Sequence, residues 1–121
     1  MNTLHIPSPD DNPQEWIKAL FTFFQNLNQQ GETDIVSTYQ TLRVAEKTAT
    51  SRELAHQILI MKKAAFDRMD ALTRTANDSA EALRLCRVFL MATSDYQHFR
   101  KLWVLREDEI LNEQRNSSWE S

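Results

Sequence analysis

The sequence predicts an all-α protein: a four-helix, bundle-like domain dominated by a long antiparallel, coiled-coil-like hairpin over roughly residues 51 to 113. Three observations predict it. Gly31 is the only glycine, and the three prolines (Pro7, Pro9, Pro13) all lie in the first 13 residues. From Glu32 onward, therefore, no residue readily takes positive φ and none breaks a helix by lacking its N–H. Strands joined by tight hairpins would need Gly or Asn-Gly turns, which this stretch does not offer. Apolar residues instead recur in steps of three and four.

The first helix is expected over residues 13–30. Asn12 can cap it, Pro13 suits the first helical position, and Glu15 can reach back to the cap N–H. Trp16, Ile17, Leu20, Phe21, Phe23, Phe24 and Leu27 form an apolar arc wide enough for more than one neighbour, and Gly31 is expected to close the helix as its C′ residue. The second helix, 34–47, takes Thr33 as cap and Ile35, Val36, Tyr39, Leu42 and Ala45 as its apolar stripe. Thr38 and Thr41 lower its intrinsic propensity.

The third helix, 51–76, starts at the capping box Thr50-Ser51-Arg52-Glu53. Leu54, Ile58, Met61, Ala65, Arg68, Leu72 and Thr75 give it a seam of alternating four and three steps. A turn at Asn77 follows, with Asp78 as the next cap and Glu81 three residues on. The fourth helix, 79–113, is the most periodic. Leu85, Phe89, Ala92, Tyr96, Phe99, Trp103, Arg106 and Ile110 keep strict four–three spacing. As one helix it would be roughly 50 Å long, with Thr93-Ser94-Asp95 as the place for a kink or restart. Residues 1–11 read as a flexible leader and 114–121 as a flexible acidic tail carrying Trp119. The whole chain, 1–121, reads as one domain.

Composition narrows the function classes. With 41% hydrophobic and 26% charged residues the chain is of ordinary soluble type. Its net charge of −3 does not advertise nucleic acid or membrane. The charge is uneven: residues 52–106 carry ten Lys/Arg against six acids, while 107–121 carry five acids against Arg115. The lone Cys86 excludes an intramolecular disulfide and fits a reducing compartment. No signal sequence or membrane-length apolar run is evident, so a cytoplasmic location is expected.

Few residues suggest chemistry. Glu53-Leu54-Ala55-His56 and Asp95-Tyr96-Gln97-His98 both have the acid-x-x-His form used in di-iron bundles, and a hairpin turning at Asn77 sets the two histidines at one level. Successive helical residues turn by about 100°, which points His56 and His98 away from the seams, so no metal is expected. Cys86 sits in an apolar run and should be an inert thiol. Neither a phosphate loop nor a Gly-framed serine is present. The expectation is no enzyme, no cofactor and no small-molecule substrate.

What remains is surface. The fourth helix is apolar off its seam as well, at Val88, Met91, Leu102 and Leu105, and the first two helices are too short to cover it. The function expected is thus a protein–protein interaction module (a chaperone, adaptor, inhibitor or small assembly subunit) that binds a partner or itself, a dimer first. Phe21, Phe24, Met91, Leu102, Leu105 and Trp103 are its candidate contacts. The alternative is a nucleic-acid-backbone contact through Lys62, Lys63, Arg84, Arg87, Arg100 and Lys101, weakened by interleaved acids.

Overall fold

The computed structural model describes residues 13–120, with side chains over 14–116. Among these residues there are five α-helices and no strand: α1 (Pro13–Leu27), α2 (Glu32–Lys47), α3 (Arg52–Arg74), α4 (Ser79–Ala92) and α5 (Gln97–Glu120). The all-helical class is as expected; the helix count is not. The expected leader, the Asn12 cap and the Trp119 side chain lie outside what is described.

Several expected helix boundaries move. α1 ends at Leu27, with Gln29 N–H on Asn26 O at 3.1 Å and Gln30 N–H on Leu27 O at 3.2 Å. Gly31 is not a left-handed C′ residue: at φ −88° and ψ −168° it is the extended N-cap of α2, and its carbonyl accepts from Ile35 N–H at 2.9 Å. Thr33 consequently falls inside α2. In α3 the cap is Ser51 rather than Thr50, since Ser51 Oγ accepts from Leu54 N–H at 3.1 Å. The Asp78 cap of α4 stands where expected, accepting from Glu81 N–H at 2.8 Å.

Gly31 makes no side-chain cap, and a Cβ built there meets nothing within 4 Å. Its φ and ψ are open to any L-residue. Gly31→Ser should therefore stabilise the fold by about 0.5–1 kcal/mol, through a new cap bond and a less flexible unfolded chain. Urea unfolding followed by circular dichroism checks this; a loss of stability would refute the open-cap geometry.

The chain divides between Arg68 and Met69, within α3, into two compact units. In the first, the buried residues are Trp16, Phe23 and Leu27 of α1, Ile35, Tyr39 and Leu42 of α2, and Ile58, Met61, Ala65 and Phe66 of α3. Arg68 Nε donates to Gln30 O at 2.9 Å and Thr38 Oγ1 to Gln30 Oε1 at 2.7 Å, so the α1–α2 connection is tied down by side chains. The buried face of α3 starts on the expected seam (Ile58, Met61, Ala65) but drifts to Phe66, Met69 and Thr73. A straight helix slips about 20° per heptad against a 3.5-residue repeat. Leu72 and Thr75, at the far end of the expected seam, accordingly leave the core.

The second unit is organised by the α4–α5 hairpin. The expected helix 79–113 is two helices, because the chain reverses at 93–96. Thr93 Oγ1 donates back to Phe89 O at 2.8 Å and Ser94 Oγ to Met91 O at 3.0 Å, hydrogen bonds that compete with helix continuation. Tyr96 N–H reaches Thr93 O at 3.2 Å, and Tyr96 O accepts the first α5 bond from Arg100 N–H at 3.2 Å. The hairpin closes antiparallel: the Phe89 and Trp103 rings lie 5.7 Å apart, and Cys86 Sγ–H points to Trp103 O at 3.4 Å. Despite the break, Leu85, Phe89, Ala92, Phe99, Trp103, Arg106 and Ile110 are all buried. α5 also extends through Glu120, so helical backbone replaces most of the expected flexible tail.

One polar cluster completes this unit. Buried Arg106 donates from Nε to Thr73 Oγ1 (3.1 Å) and from a terminal nitrogen to Glu109 (3.1 Å), while Thr73 Oγ1 donates to Asp70 O at 2.7 Å. Arg74 binds Asp70 at 2.9 Å and lies 3.7 Å from Glu109; its hydrogen bond to Asp70 holds the guanidinium above its ordinary pKa. An arginine at a seam position is thus satisfied by neighbours rather than left as a buried orphan.

Candidate interaction surface

Burial separates the surface candidates from the core. On α1, Trp16, Phe23 and Leu27 face inward, whereas Ile17 and Phe21 are each 64% exposed and Phe24 is 46% exposed. Ile17, Phe21 and Phe24 are spaced by four and three, so they form one stripe along the outer face of the helix. Phe24 leans edge-on against buried Phe23, at 5.1 Å and 83°, which limits its freedom. Phe21 and Phe24 are therefore surface residues. Ile17 belongs with them and was not among the candidates, although its spacing from Phe21 is visible in the sequence.

On the hairpin, Met91 is the most exposed large apolar residue among the described side chains, at 78%, and Leu105 is exposed with Val104 beside it. A shallow groove at Met91 is lined by Leu83, Val88, Arg84 and Arg87 as well. Leu102 is only half-buried. Trp103 must be withdrawn as a contact: its side chain is fully enclosed, packs on Phe89, and donates from Nε1 to Thr93 Oγ1 at 2.9 Å.

The basic stripe loses its leading member. Lys62 is buried, with Nζ 3.2 Å from Glu46 and 5.2 Å from the centre of the Tyr39 ring. It sits four residues after Ile58 and four before Phe66, on the inward face of α3. Lys63 is exposed but pairs with Asp67 at 2.9 Å and lies over the Phe66 ring at 4.8 Å. Arg84 is engaged by Glu81 through two nitrogens, at 2.9 and 2.6 Å, and this holds the Glu81 carboxyl below its ordinary pKa. Arg87 faces Glu107 at 3.9 Å, and Arg100 and Lys101 are exposed on α5. These cations are mostly matched by local carboxylates, which leaves little net field for a polyanion.

His56 and His98 are exposed, His98 near Tyr96 and Phe99 in the first turn of α5. The continuous helix that set them at one level does not exist. Among the described residues no three His, Cys, Asp or Glu side chains converge as metal ligands, and no helix is long and apolar enough to cross a membrane.

Burial pushes the Cys86 thiol up to about 11. The thiolate fraction near neutral pH should thus be about a hundredfold below that of a free cysteine. Native protein should resist iodoacetamide at pH 8 and react rapidly once unfolded in urea; prompt native labelling would contradict this burial. The chain matches no family model, no curated protein and no solved structure.

Proposed function

We propose that this chain is a non-enzymatic helical interaction module, bundle-like in fold and cytoplasmic, that presents an apolar helix face to another protein chain. The observation that carries this reading is the Ile17–Phe21–Phe24 stripe on α1, three large exposed apolar side chains on a helix whose adjoining face is already committed to a core. Leaving such a stripe in water forgoes roughly 25 cal/mol per Å² of apolar surface. A contiguous apolar stripe of this kind is of the size of the largest patch on an ordinary monomer, which often serves function, whereas single exposed apolar residues need no explanation. Met91, Val104 and Leu105 offer a second, more scattered apolar area on the hairpin.

The test is a pull-down from the native host with the wild-type chain and with Phe21→Glu/Phe24→Glu. A specific partner retained by the first and lost by the second, at unchanged circular dichroism, supports the reading. Identical recovery with both variants would sink it.

A further inference from the structure

We infer that the α4–α5 hairpin is a conformational device: it opens at residues 93–96 into one helix and exchanges its α5 with that of a second copy of this chain. The α1 stripe takes no part in this exchange.

The hinge carries no backbone lock. Residues 93–96 include neither glycine nor proline, and among the described residues none has positive φ. Helices commonly end on a left-handed residue, which must leave that region before a helix can continue. Thr93 instead ends α4 at φ −108° and ψ 16°, beside the right-handed helical region. Its Oγ1 bond to Phe89 O spans four residues, and that of Ser94 Oγ to Met91 O spans three. A continuous helix permits both. For Thr93, rejoining the helix takes modest rotations and breaks neither bond.

The seam also runs through the hinge. Leu85, Phe89, Ala92, Tyr96, Phe99, Trp103, Arg106 and Ile110 keep four–three steps across the break. In one helix the buried faces of α4 and α5 would join into a single stripe, and supercoiling absorbs the slow drift of such a repeat. Alone, that helix leaves Phe89, Phe99, Trp103 and Ile110 in water.

A second open copy covers them with contacts the fold already makes. In the hairpin Phe89 packs on Trp103, each seven residues from Tyr96, and Arg87 faces Glu107 at 3.9 Å. Two open helices crossing antiparallel at Tyr96 remake both contacts between copies, with the two Tyr96 side chains at the two-fold axis. The bond from buried Arg106 to Thr73 of α3 re-forms across copies in the same way. The interface thus names its occupant: α5 of one copy covers α4 of the other.

The closed and exchanged forms share these contacts, so the hinge and the protein concentration decide between them. The four-residue link between α4 and α5 holds α5 against α4 at an effective concentration on the order of millimolar. Dilute chains close on themselves, and chains that fold in a crowded solution exchange.

Refolding the full chain from urea at about 1 and about 500 µM, followed by light scattering, tests this. Dimer should form in the concentrated sample alone. Ser94→Ala/Asp95→Ala favours the continuous helix and should raise the dimerisation constant on the order of tenfold; Ser94→Gly/Asp95→Gly should lower it by a similar factor. The exchange itself is read by cross-linking Arg87→Cys/Glu107→Cys with a short bis-maleimide, Cys86 being buried. Exchanged dimers should run as covalent dimers on a denaturing gel, whereas closed chains link internally and run as monomers. Phe21→Glu/Phe24→Glu should dimerise as wild type does. The inference is overturned by an alanine variant that stays monomeric at the higher concentration, by a dimer whose chains link only internally, or by a dimer indifferent to the hinge. A dimer lost with Phe21→Glu/Phe24→Glu would also overturn it, and would leave the α1 interaction reading standing.

Discussion

Trp103→Ala should lower the unfolding free energy by about 3–5 kcal/mol, the largest single-residue effect expected in this chain. Trp103 is fully buried, packs against Phe89, and anchors the 93–96 reversal through its indole N–H. Truncation loses the transfer energy of a large aromatic and leaves a cavity between α4 and α5. Thr93→Val separates the two contributions. It preserves volume but removes the acceptor of the indole N–H and the back-bond to Phe89 O. Stranding a buried donor costs about 1–3 kcal/mol, so Thr93→Val should show that loss without a cavity. Because small domains hold only about 5–15 kcal/mol in total, Trp103→Ala should leave the second unit partly unfolded at moderate urea. Urea melts followed by far-ultraviolet circular dichroism measure both variants. A loss below about 1 kcal/mol for Trp103→Ala would mean that this ring does not hold the hairpin closed.

The same residues show how far the fold is legible in sequence. Helical class follows from what is missing after Gly31, since neither tight-turn nor helix-breaking residues are available. The inward positions of α4 and α5 also follow from spacing, since within each helix the buried residues keep steps of three and four. The reversal itself does not follow from local pattern alone. Thr93, Ser94 and Asp95 weaken a helix without ending it, and the deciding contact, Trp103 Nε1 on Thr93 Oγ1, spans ten residues and exists only once the chain has turned back. Trp103 is ambiguous in sequence for the same reason: a tryptophan on a seam suits a core or an interface equally well until its partner is known. On α1 the spacing marked both faces as apolar, but which face lies inward depends on α2 and α3. Gly31 is a different case. A glycine between helices can serve the end of one or the start of the next, and only its extended backbone decides between them.

Lys62 and Glu46 should respond to substitution in unequal and instructive ways. Lysine is rarely found in a core. Lys62 is buried because its aliphatic stem can follow the core while its ammonium finds Glu46 and the Tyr39 ring. Removing the carboxylate by Glu46→Gln takes one charge partner from the buried ammonium. Loss of one member of a fully buried pair costs about 3–5 kcal/mol. Glu46 keeps about a third of its surface in solvent, so water screens part of the attraction, and a loss of about 1–2 kcal/mol is expected. Lys62→Met removes the charge and keeps the stem, and uncharged replacements of buried ionic groups are often neutral. It should lie within about 1 kcal/mol of wild type. Lys62→Ala empties the site and should cost about 2–4 kcal/mol, as other large-to-small core changes do. The decisive comparison is the double variant Lys62→Met/Glu46→Gln, in which Glu46→Gln should cost almost nothing because the charge it served is gone. Equal costs of Glu46→Gln with and without Lys62 would show that the ammonium is held by the core alone.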